Sequence, residues 1–137
     1  MSKSNAWETA LLSLLFENSN AANIGDATGL RGSSTAGSLY FSLHTSDPGE
    51  AGDQTTNEIG YTSYARVAVA RSSSGWTVSG NAVSVDADVE FPAGTGGSGT
   101  ATHWGLGTAA SSTGVLLYKG TISPNIVCGD GVTPILS

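Results

Sequence analysis

Between Ala82 and Phe91 the chain alternates without a break. Val83, Val85, Ala87, Val89 and Phe91 fall on one side, and Ser84, Asp86, Asp88 and Glu90 on the other. A period of two predicts a strand over residues 82–91 with one buried face and one wet, acidic face, as in an antiparallel sheet. Shorter stretches repeat the pattern. Ser38–His44 sets Leu39, Phe41 and Leu43 against Tyr40, Ser42 and His44. Residues 64–70 set Val67 and Val69 against Arg66. Trp76–Ser79 is a short strand, and Gly80-Asn81 turns it into the next as a hairpin. Residues 100–108 carry Trp104 and Leu106 on one face and His103 on the other. Residues 115–119 and 121–128 read as two further strands. Pro124 interrupts the second and marks an edge or a bulge, because proline has no N–H for a ladder. Residues 132–136 form the last strand.

One segment has a different period. Trp7, Leu11, Leu14 and Leu15 recur at helical spacing, and Leu12 and Phe16 widen the stripe. Asn5 is placed to cap this helix, with Glu8 three residues later as in a capping box. Glu17-Asn18-Ser19-Asn20 ends it, giving a helix over about residues 5–17. A helix this apolar packs either on its own domain or on another chain. Two long loops complete the pattern, at residues 20–37, broken by Gly25, Gly29, Gly32 and Gly37, and at residues 45–62, which holds Glu50, Asp53 and Glu58. About eight short strands with frequent turns and one N-terminal helix predict a mainly β protein, a sandwich or barrel of antiparallel strands. No linker or repeat divides it, so residues 1–137 read as one domain, with the sandwich over about residues 38–137.

Composition narrows the function classes. Charged residues are 12% of the chain, against about 25% in an average domain, and Gly, Ser, Thr and Asn carry the polar balance. The net charge is −6, from five Lys and Arg against eleven Asp and Glu. Lys3, Arg31, Arg66, Arg71 and Lys119 are scattered, which argues against direct nucleic-acid binding and against an anionic membrane surface. Cys128 is the single cysteine, so no intrachain disulfide forms and folding in a reducing cytoplasm is expected. Met1-Ser2-Lys3 runs into the helix rather than into a cleavable signal sequence, and no apolar run reaches transmembrane length.

Candidate chemistry is sparse. His44, Asp47, Glu50 and Asp53 group an imidazole with three carboxylates, but their spacing is not that of a calcium loop. The favoured reading is a solvated turn in which Asp47 caps Pro48-Gly49. Gly-x-Ser-x-Gly is absent, since Gly96-Gly97-Ser98-Gly99-Thr100 lacks the last glycine. His44 and His103 read as surface or half-buried sheet residues. Gly105-Leu106-Gly107-Thr108-Ala109-Ala110 imitates a dinucleotide loop, but no helix follows it to hold a phosphate. Its glycines instead suit close approach by another backbone or an aromatic ring. Asp86, Asp88 and Glu90 read as an exposed acidic face, and Cys128 as a small core hydrophobe. No catalytic, cofactor-binding or metal-binding residue is assigned, and the chain is expected not to be an enzyme.

Four stretches resemble a known family. They are Trp7-Glu8-Thr9-Ala10-Leu11-Leu12, Asn23-Ile24-Gly25-Asp26-Ala27-Thr28-Gly29-Leu30, Leu39-Tyr40-Phe41-Ser42-Leu43-His44-Thr45 with Asp47-Pro48-Gly49-Glu50-Ala51-Gly52, and Tyr64-Ala65-Arg66-Val67-Ala68-Val69. They are similar to small phage head cement (decoration) proteins, as in a Bordetella-type phage, whose members often carry the label of phage tail fibre protein. The resemblance is densest over Leu39–Val69 and brings no catalytic motif with it. It implies a jelly-roll-like β-sandwich that self-associates as a homodimer or homotrimer. It implies a position on the outer surface of the expanded virion capsid, after synthesis in the host bacterial cytoplasm. There it would bind the major capsid protein and stabilise contacts between its subunits. Trp7, Leu11, Leu15 and Phe16 are candidate anchors for such docking. The alternative is a tail-associated or tail-fibre module contacting the host surface, for which Trp76 and Trp104 are candidate contacts. A cell-wall hydrolase would need a convergent acid–base pair that no spacing here supports.

Overall fold

The computed structural model describes residues 2–22 and 32–137. Residues 23–31, with half of the loop read at residues 20–37 and the Asn23-to-Leu30 stretch, lie outside the described residues. The chain separates into two compact units. One is Met1–Ser38 with Ala70–Ala87, and the other is Leu39–Val69 with Asp88–Ser137.

The first unit holds α1 (Asn5–Phe16), β3 (Trp76–Ser79) and β4 (Ala82–Val85). Ser4, not Asn5, caps the helix, and its hydroxyl accepts from Trp7 N at 3.3 Å. Two capping residues stand side by side here, and use of the first leaves Glu8 outside the capping-box position, although still in the first turn, where its charge suits the helix dipole. Arg71 closes the other end. Its Nε donates to Leu15 O at 2.6 Å, its Nη2 to Leu14 O at 2.9 Å and its Nη1 to Ala36 O at 2.9 Å. These bonds satisfy helix carbonyls that have no partner within the helix. Beyond α1, Asn18 and Ser33 exchange bonds of 2.8 and 2.6 Å.

β3 and β4 form a hairpin in register Ser79↔Ala82, with Gly80 at φ 61°. A positive φ at the first turn residue is what a type II′ hairpin requires, and glycine takes it without steric cost. The helix lies against this hairpin. Phe16 meets Trp76 edge-on at 4.7 Å, and both rings are buried. Val78 N donates to Glu17 Oε1 at 3.3 Å, and the Thr9 hydroxyl donates to Gly80 O. The apolar helix therefore packs on its own unit.

The continuous strand expected over residues 82–91 is broken. Asp86 N donates to Gly75 O at 3.0 Å, and Asp86 Oδ1 accepts from Thr77 Oγ1 at 2.7 Å. These bonds fold the chain out of the ladder after Val85. It resumes as β5 (Val89–Glu90), paired with β8 (Ile135–Leu136) instead. Asp86, Asp88 and Glu90 therefore do not line one strand face.

The second unit is built on a sheet in the order β2 (Val67–Ala70), β1 (Ser38–His44), β6 (Ser98–Gly107), β7 (Leu116–Gly129). β1 and β6 run antiparallel, with Leu43 opposite Trp104, and β6 and β7 do likewise. The strand expected from residue 64 starts at Val67, because Tyr64 N donates to Tyr61 O at 3.1 Å in a turn and Ser63 sits at φ 78°. The two strands expected at residues 115–119 and 121–128 are one, β7. It forms an outer strand of the sheet, and Pro124 lies within its bulge, where Ala101↔Ile126 jumps to His103↔Thr121. The edge and bulge readings of Pro124 thus both hold.

Leu39, Leu43, Ile59, Tyr61, Val89, Phe91, Ala101, Leu106 and Cys128 form the buried core of this unit. Each large apolar side chain so buried stabilises the fold by roughly 1.5–3 kcal/mol. The described residues are mainly β, in antiparallel sheets with one N-terminal helix, consistent with a β-sandwich.

Candidate functional site

The polar face of β1 is not wet. Ser42 and His44 are 0% exposed, and so is Gln54 of the long loop. Their neighbours explain this. Ser42 stands opposite Gly105 in the ladder, and a Cβ there would lie 2.7 Å from both Ser42 Oγ and His44 Nε2. At Gly107 a Cβ would lie 2.2 Å from Gln54 Cδ. The glycines of the dinucleotide look-alike thus leave room for polar side chains. The reading of close approach by a backbone or a ring fits Gly120 instead, where Trp104 lies 2.6 Å from the Cβ position. The surface or half-buried position expected for His44 gives way to full burial, because residues 45–62 fold over this face of the sheet. The main chain on either side of His44 is tied to that cover through a β-bridge to Glu58, in which Thr45 N donates to Asn57 O at 2.8 Å and Ile59 N donates to Leu43 O at 2.9 Å.

The imidazole is fully partnered. His44 Nδ1 lies 2.8 Å from Thr56 O, and Nε2 lies 2.9 Å from Ser42 Oγ. A carbonyl only accepts, so Nδ1 carries the proton and the Ser42 hydroxyl donates to Nε2. Burial holds the imidazole pKa below its ordinary 6.5, so the ring is neutral near pH 7. This is the hydroxyl-to-imidazole arrangement of a nucleophile and its base. Two features separate it from a working pair. The base is oriented by a main-chain carbonyl rather than a carboxylate, and neither side chain has any surface at which a substrate could meet it.

A second polar group lies beside it. Arg66, with a side chain 3% exposed, donates Nε to Glu58 Oε1 and Nη2 to Glu58 Oε2, each at 2.7 Å. Nη1 reaches Ala109 O at 2.9 Å and Nη2 also reaches Ser112 O at 2.8 Å. Tyr64 OH donates to Glu58 Oε1 at 2.8 Å and accepts from Leu43 N at 3.1 Å, and burial pushes its pKa far upward. Gln54 completes the brace. Its Oε1 accepts from Ala109 N at 2.9 Å, its N donates to Thr113 O at 3.0 Å and its Nε2 donates to Tyr40 O at 3.4 Å. The two loops at residues 45–62 and 108–115 are therefore tied to the sheet and to each other. Sequence reasoning missed this brace. Its one signal is a charged Arg66 flanked by Tyr64 and Val67 in an apolar stretch.

The acidic loop keeps its carboxylates apart. Asp47 Oδ1 accepts from Gly49 N at 2.8 Å, as the expected cap of the turn. This bond and Lys119 hold its pKa below the usual carboxylate range. Lys119 Nζ lies 2.9 Å from Asp47 and 3.4 Å from Glu50. Asp53 instead accepts from Thr55 N at 2.8 Å and from Thr55 Oγ1 at 2.6 Å. Among the described residues no cluster of His, Cys, Asp and Glu is suited to hold a metal.

The remaining candidates are dispersed. His103 is half-buried, with Nδ1 2.8 Å from Thr102 Oγ1. Cys128 is buried in the core, and burial raises its thiol pKa. Trp76 is buried, Trp104 half-buried, and Trp7, Leu11 and Leu15 half-buried, while Phe16 is fully buried. Large apolar side chains stand exposed at Val115, Tyr118, Val127 and Ile135. No helix among the described residues is long and apolar enough to cross a membrane.

Two comparisons bear on this arrangement. A family model described as podophage GP4 fiber I protein gp80 matches residues 2–133. A search of curated proteins finds no match.

Proposed function

The chain belongs to the podophage GP4 fiber I protein gp80 family and is a phage structural protein; from that premise we propose that it is a non-catalytic, tail-associated fibre module that acts by docking. The observation that carries the reading is the span of the match, which reaches both units and takes in every element of the fold except β8. The braced loops support it. Docking surfaces gain affinity when their loops are held in place before a partner arrives, since less ordering entropy is lost on contact. The sealed Ser42–His44 pair supports the absence of catalysis. An activity-based fluorophosphonate probe is expected to leave the native protein unlabelled, and labelling at Ser42 would overturn the non-catalytic part of the proposal.

A second reading has its own support. The resemblance over Leu39–Val69 favours a cement protein that binds the major capsid protein on the outside of the expanded head. The brace residues Gln54, Glu58, Tyr64 and Arg66 lie in that same stretch. Copy number and position in the particle separate the two. Quantitative mass spectrometry of purified virions, with cryo-electron microscopy, is expected to find few copies, confined to the tail. A full complement in register with the head lattice would replace the fibre reading by the cement reading. Absence from purified virions would overturn both.

A further inference from the structure

Gln54, Thr56 and Glu58 alternate along the loop that covers the polar face of β1. Gln54 holds residues 108–115 through Ala109 N and Thr113 O. Glu58 holds them through Arg66, which reaches Ala109 O and Ser112 O. Thr56, between the two, is held by His44, whose Nδ1 donates to Thr56 O at 2.8 Å. One imidazole therefore pins the middle of a short segment whose two flanks position the loop at residues 108–115. Pro48 and Ile59 are buried further out on either side, so the segment can lift while both ends of the cover stay anchored.

A charge on that ring is poorly accommodated. The ring is fully buried, and a Cβ at Gly105 would lie 2.7 Å from its Nε2, so no water fits between them. Nδ1 already carries the proton given to Thr56 O. A second proton goes to Nε2 and removes the acceptor that the Ser42 hydroxyl uses. The charged groups facing the ring are Glu58 and Arg66 of the brace and His103, opposite in the ladder. Both Glu58 oxygens are taken by Arg66, so a charged ring adds a second cation to one carboxylate, and a charged His103 a third. Tyr64 bonds to that same carboxylate, Asp53 turns to Thr55 and Thr56, and Lys119 on β7 is matched by Asp47 and Glu50. A buried charge without its own partner is costly, and water reaches it only if the segment around Thr56 moves away. The closed form thus holds the ring neutral below its ordinary 6.5, and protons favour the open form.

We propose that His44 is an acid-operated latch: a proton on its ring lifts residues 54–58 from β1 and, through Gln54 and Glu58, releases the loop at residues 108–115. The inference goes beyond the docking proposal and holds whatever that loop meets. The test is hydrogen exchange on the purified full chain at about pH 7.5 and 5.5, corrected for the intrinsic effect of pH. Opening should grow by up to about tenfold per pH unit below 6.5. The amides of Gln54 and Ala109, which bond across the brace, are expected to lose protection by that factor. Amides of β6 are expected to keep theirs, and His44→Gln is expected to remove the response. Loss of protection shared equally by β6 would overturn the proposal, as would no loss at Ala109 or a loss unchanged in His44→Gln. If that variant misfolds, NMR titration of the wild type decides. Signals from residues 109–113 should move in step with the His44 ring, and movement in step with His103 instead would overturn the latch.

Discussion

Arg66→Met removes the centre of the brace and leaves its partners in place. The guanidinium makes two bonds to the Glu58 carboxylate and one each to Ala109 O and Ser112 O. Losing one partner of a buried ion pair costs about 3–5 kcal/mol, because the other charge stays desolvated. Glu58 is 15% exposed and keeps its bond from Tyr64, which puts its share near the lower bound of about 3 kcal/mol. Ser112 is exposed, so water replaces its lost donor, whereas the half-buried Ala109 carbonyl adds about 1 kcal/mol. The expected loss is about 4 kcal/mol, a large fraction of the roughly 5–15 kcal/mol that holds a domain together. The double variant R66M/E58M removes both charges and should cost about 2 kcal/mol less than the sum of the two singles. Urea unfolding followed by circular dichroism measures all four species of the cycle. A single-variant loss under about 1 kcal/mol, or strict additivity of the pair, would refute the assignment of Arg66 as the tie between the loops.

Two further outcomes follow from the same face of the sheet. The folded-state pKa of His44 lies below the unfolded 6.5, so below that pH the unfolded chain takes up a proton that the folded chain refuses; the urea midpoint should fall as pH drops from neutral through about 6 and into the acid range, and the slope there should shrink in His44→Gln. Gly107→Ala sets a methyl group 2.2 Å from Gln54 Cδ and should cost about 1–3 kcal/mol by the same unfolding assay, with part of the loss recovered when Gln54 is also shortened to Ala.

The elements with a clean period were legible. Ser38–His44 and Trp76–Ser79 stand in the fold where their alternation and turn residues place them, and Pro124 announced its edge and its bulge. Alternation failed where backbone bonds outweighed it. Asp86 turned the chain although Val83 to Phe91 kept perfect phase, because a strand also needs a neighbour, and period alone does not name one. The same limit hid the brace. Ser42 and His44 alternate with Leu39, Phe41 and Leu43, and that pattern assigns them to water. Only the folding of a loop some ten residues away over them, and a glycine about sixty residues away, Gly105 opposite Ser42, reverse the assignment. Those distances lie beyond any local rule. The glycines themselves were visible, but what they made room for was not.

The loop at residues 108–115 is held through its main chain. Ala109 offers its N–H and its carbonyl, and Ser112 and Thr113 offer carbonyls, to Gln54 and Arg66. The side chains in these bonds, Gln54 and Arg66, belong to the other partner. The exposed side chains of Ala110, Ser111 and Thr113 can therefore be exchanged without breaking these bonds. Such a division separates what the loop displays from how it is shaped: its letters can be rewritten, while its path through space is inherited from residues that are never displayed.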